Sequence, residues 1–89
     1  MTATQATGIG SRREFAEKFE AAMRDRLPTL AHNLGDSLRY YTVMWGDTRA
    51  VYDLSDMTLQ SAAGDLAKFQ KINAAALDSI VAIHRGEVQ

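Results

Sequence analysis

The chain has no cysteine, one proline and seven aromatic residues in 89. Without cysteine there are no disulfides and no thiolate metal sites, and the redox compartment is left open. The charge has no dominant sign: ten Lys and Arg stand against eleven Asp and Glu, for a net charge of −1. It is also evenly spread, with +1 over 11–27, −2 over 28–59 and 0 over 60–89. That balance gives no electrostatic reason to expect nucleic acid or an anionic membrane as partner. No apolar run approaches the roughly 18 residues of a membrane span, and MTATQATGIGS lacks the charged start and apolar stretch of a secretory signal. The expectation is a cytoplasmic protein, with signal-less secretion as the alternative. A length of 89 residues allows one domain with a thin core, for which self-association is a common remedy.

The apolar residues that are present recur at helical spacing. Residues 1–10 are small and polar and read as a disordered tail. Ser11-Arg-Arg-Glu14 is a capping box. Phe15, Phe19, Ala22, Met23 and Leu27 then form one helical stripe. Pro28 ends that helix near Arg26 and suits the first turn of another. From Leu27 to Ile83 a 3,4 spacing continues as a heptad-like seam, with Thr48, Ser55 and Asn73 as its later polar positions. An Asn at such a position can set register in a coiled coil. Two segments carry turn chemistry: Gly46-Asp47-Thr48 and Asp53–Thr58. Arg85 and Gly86 suit the end of a last helix.

These features predict an all-α fold, a helical hairpin or three-helix bundle that self-associates. The domain spans 11–86, with helices at 11–26, 28–45 or 28–53, and 48–85 or 56–85, followed by a short tail at 87–89. The pattern shows no strand signal.

Chemistry-bearing motifs are sparse. His32 and His84 sit in no His-x-x-x-His or Glu-x-x-His spacing, so no metal is expected. There is no Gly-x-Ser-x-Gly elbow, and Gly8-Ile9-Gly10 is only a fragment of a phosphate loop. No catalytic residue and no cofactor are expected. The expected function is a non-enzymatic protein–protein interaction module, such as an adaptor, regulator, chaperone or assembly subunit, working by helix-on-helix packing. Its partner is itself, as a homodimer or higher coiled-coil assembly, or a heterologous protein. The candidate interface is Tyr40, Met44 and Trp45, where RYYTVMW carries two apolar stripes, together with Leu77, Ile80 and Val81 in the almost wholly apolar AAALDSIVAI. A small helical DNA-binding regulator is the alternative from another class.

A chain of this length with Trp45-Gly46 near its middle resembles the WXG100 family of small secreted helical-hairpin dimers. The family's turn is Trp-x-Gly, whereas Gly46 follows Trp45 directly. The family's C-terminal Tyr-x-x-x-Asp/Glu signal has no counterpart in HRGEVQ, and Pro28 falls within the first arm. The resemblance implies a helical hairpin that turns near Gly46 and pairs with a second copy.

Overall fold

A computed structural model of the chain describes residues 7–88, with the side chains of residues 7–11 outside the description. Six elements follow in order: α1 (Thr7–Arg26), β1 (Ala31–Leu34), β2 (Tyr40–Trp45), β3 (Thr48–Asp53), β4 (Thr58–Ala63) and α2 (Leu66–His84). The four strands form one antiparallel sheet in sequence order, β1-β2-β3-β4. The fold is therefore mixed α/β, two helices on a four-stranded meander. This corrects the all-α expectation, and with it the coiled-coil seam, the WXG100-like hairpin, the small helical DNA-binding regulator and the purely helix-on-helix module.

The correction has a physical cause. From residue 41 to residue 52 the buried side chains are Tyr41, Val43, Thr48, Ala50 and Tyr52, a period of two on either side of a two-residue loop. Tyr, Val and Thr are strand formers whose branched or aromatic side chains fit a pleated surface. The alternation is masked in the sequence because Tyr40 and Met44, on the opposite face, are apolar as well. Gly46 and Asp47 connect β2 to β3, with Trp45 opposite Thr48. Gly46 has φ +62°, and glycine with positive φ at the first loop position is the arrangement of a two-residue β-hairpin whose turn follows the strand twist. The chain thus reverses at Gly46, but between strands. Residues 54–57 form the turn from β3 to β4.

At the chain's start, α1 extends upstream through Ser11, so the capping box is interior to the helix. Of the expected tail, Thr7–Gly10 are helical and residues 1–6 lie outside the described residues, as does Gln89. α1 ends at Arg26, before Pro28, and buries Ala16, Phe19, Ala22 and Met23. Its outer face carries the pairs Arg13–Glu17, Glu14–Lys18 and Glu20–Arg24. α2 starts at the N-cap Asp65, whose carboxylate accepts from the Lys68 amide at 2.9 Å. It closes at Gly86, whose amide donates to the Ile83 carbonyl at 3.0 Å.

Both helices lie on one face of the sheet, packed against each other, with α1 towards β1 and α2 over β3. Phe19 anchors the core: its ring meets Tyr41 edge-on at 5.3 Å and Tyr52 at 6.3 Å. From α2, Ile72, Ala75 and Ala76 complete it. Two helices cover β1 to β3 but leave β4 bare. All six of its residues are exposed.

Candidate association surface

Polar groups inside the fold are committed to holding it together. Tyr41 is fully buried, and its hydroxyl lies 2.6 Å from Nδ1 of His32. The other ring nitrogen, Nε2, lies 2.8 Å from the Leu27 carbonyl. A carbonyl can only accept, so Nε2 carries the proton and Nδ1 accepts from Tyr41. Burial pushes the Tyr41 hydroxyl far above its usual pKa. The Tyr52 hydroxyl donates to Oδ1 of Asn73 at 3.0 Å, linking β3 to α2, and burial raises its pKa to about 12. Asn73 thus serves this chain's own core.

Next to Tyr52, at the C-terminal end of β3, Arg39 grips Asp53. Its Nε lies 3.1 Å from both carboxylate oxygens, and a terminal nitrogen lies 2.9 Å from one of them. The Ser55 amide and hydroxyl donate to the same carboxylate at 3.0 and 2.6 Å. The Arg39 and Ser55 hydrogen bonds hold the Asp53 pKa down at about 2.

The six residues expected at an interface fall in three places. Tyr40 and Met44 project from the sheet face that carries no helix, 39% and 47% exposed. Trp45 points to the helical side at the end of β2. There Lys68 and Lys71 of α2 stand over its ring, 5.7 and 5.9 Å from the centroid. Leu77 and Val81 are exposed on α2, while Ile80 is half-buried against the core. Tyr40, Met44 and Trp45 therefore do not share a surface with Leu77, Ile80 and Val81.

The continuous apolar surface lies at β4 instead. Register pairs Leu59 with Tyr52 and Ala62 with Ala50, so both face the helical side. Gln60 is the extra residue of a bulge. Nothing covers them, and Leu59 is 45% exposed. At 3.6 residues per turn, Leu66, Phe69, Asn73, Leu77 and Ile80 make one stripe along α2. The Asn73–Tyr52 bond turns that stripe towards β3 and β4. A groove of about 270 Å³ runs between strand and helix, lined by Ala62, Ala63, Gly64, Leu66 and Phe69. From Met57 to Gly64 the chain has no charged side chain, and neither does the α2 stripe.

The two sheet edges are treated differently. β1 is four residues long, and the carbonyl of its His32 accepts from Arg24 at 3.4 Å. A short edge with a charged side chain against it resists further pairing. β4 is six residues long, with no charge and no proline, and only the bulge at Gln60 interrupts its outer edge. The sequence contained a signal for this site, the neutral TLQSAA between Asp56 and Asp65. Helical periodicity does not reveal it, because a strand edge has no meaning in a helical pattern.

Among the described residues, no group of three or more His, Asp or Glu is placed to hold a metal ion. No helix there is long and apolar enough to cross a membrane. Comparison with protein-family models, with curated proteins and with solved structures finds no match to this chain.

Proposed function

We propose that this chain is a non-catalytic association domain that takes up an extended protein strand along the outer edge of β4. The observation that carries this reading is the bareness of β4: six exposed residues at the end of the sheet, beside an uncharged apolar groove. A strand added there would satisfy its backbone from the β4 edge, and alternate side chains would enter the groove against Leu59, Ala62 and Phe69. The partner is protein and not nucleic acid, because phosphate contacts need Lys or Arg and this surface has none. The reading that it carries out no reaction is supported by the interior, where His32 bonds Tyr41 and the Leu27 carbonyl, Asn73 bonds Tyr52, and Asp53 bonds Arg39 and Ser55.

Selection of displayed random peptides on the immobilised protein tests this. Wild type is expected to recover peptides of alternating apolar pattern that fail to bind the Leu59→Lys and Ala62→Lys variants. Both sites are exposed, so the variants keep the fold. Peptides that bind wild type and variants alike would remove β4 as the site.

A further inference from the structure

Resting on that reading, the geometry points to a second copy of this chain as the occupant, joined β4 to β4 about a two-fold axis into one eight-stranded sheet. Three observations carry this. The first is charge. A two-fold interface sets each surface patch against itself, so any net charge in it meets its like. The patch from Met57 to Gly64, with the Leu66–Ile80 stripe, carries no charge to repel.

The second is register. Antiparallel pairing of Leu59 with Ala62 of the second copy, and Gln60 with Ser61, keeps Leu59 and Ala62 of both copies on the helical side. Thr58 and Ala63 stay on the open side, as their pairing with β3 already places them. A shift by one residue would put apolar against open-side positions.

The third is spacing. α2 lies over β3, so the two α2 helices would stand three strand spacings apart, about 14 Å. Packed helices sit about 8–10 Å apart. The remaining few ångströms are too narrow for a further helix. They are filled by Leu59, Leu66, Phe69 and Leu77 from the two copies, which the single chain leaves exposed or half-exposed.

Sedimentation of the full chain in the micromolar range tests the proposal. Wild type is expected at twice the 9.8 kDa chain mass, and Leu59→Lys and Leu77→Lys at the single mass with unchanged circular dichroism. Because the chain has no cysteine, single-cysteine variants give an independent readout. Gln60→Cys and Ser61→Cys should cross-link to themselves on mild oxidation, while Asn33→Cys on β1 should not. A wild type that stays at single mass up to millimolar concentration overturns the second copy. If it still selects β4-dependent peptides, strand uptake itself stands. A dimer that survives both lysine substitutions without cross-linking at Ser61 uses another face and overturns the proposal. If β4-dependent peptides are then missing too, the wider reading falls with it.

Discussion

Asp53 is held by Arg39 and Ser55 as an ionised acceptor, and this makes stability depend on acidity in a definite window. Its folded pKa of about 2 lies below the ordinary 3.8, so the unfolded chain binds the proton first. The contribution is complete above about pH 4 and is lost as pH falls towards 2. Urea midpoints for wild type and Asp53→Asn should therefore differ at pH 6 and converge near pH 2. A gap of constant size would show that the ion pair is not its source. Tyr52 works in the opposite direction. Its raised pKa keeps the hydroxyl neutral in the fold while the unfolded chain ionises near 10, so stability falls as pH rises from 10 to about 12. Tyr52→Phe should lose less stability across that range. A third residue-scale expectation concerns Tyr41. Tyr41→Phe leaves Nδ1 of His32 without its donor inside the fold, at a cost of about 1–3 kcal/mol by urea denaturation. None of these partnerships was legible in the sequence. His32 and Tyr41, and Tyr52 and Asn73, meet only because strand register and helix placement bring them together. Local spacing carries no record of that.

At the scale of elements, the helical parts were legible and the sheet was not. The stripe from Phe15 to Leu27 packs on the core as its spacing indicates, with Phe15 and Leu27 half-buried at its ends, because α1 is amphipathic and one face suffices for its packing. The region from 31 to 63 misled because 3,4 spacing and period-two spacing share positions. Tyr41 and Trp45 are four apart and also alternate members of one strand face. Its turn residues were read as turns, yet between helices, since glycine and aspartate mark reversals without naming what they join. The β4–α2 junction depends on such a residue. Gly64 has φ +107°, and a Cβ there would lie 2.5 Å from the Thr48 Cα. The Thr48 hydroxyl in turn accepts from the Asp65 amide at 2.9 Å. Gly64→Ala should therefore cost about 1–3 kcal/mol in thermal or urea unfolding. Gly86→Ala, where nothing lies within 4 Å of the added carbon, should cost less. Equal losses would mean that close approach to Thr48 is unimportant.

For the whole molecule, the proposed surface draws on only one of the two segments that the sequence marks as apolar. Leu77, Ile80 and Val81 stand out in the sequence as part of an almost wholly apolar helix segment; in the fold Leu77 and Val81 are exposed on α2, while Ile80 is half-buried against the core. Tyr40, Met44 and Trp45 were grouped with them because a helix would have aligned them, whereas the sheet sends them to two other places. A surface without charge also fixes how association responds to solvent. The association constant of the proposed dimer should change little between low and high sodium chloride and should rise in sulfate. A steep fall with salt, followed by sedimentation, would indicate ion pairs that this surface does not contain. The order of the elements has a consequence in time as well. The strands pair with their neighbours in sequence, so the meander is assembled from local contacts that close quickly. Its apolar face, however, is roofed by the first element and the last, α1 and α2. Until α2 docks, Tyr41, Val43 and Tyr52 have only α1 to cover them, so a folding chain exposes part of its core face in addition to the β4 edge.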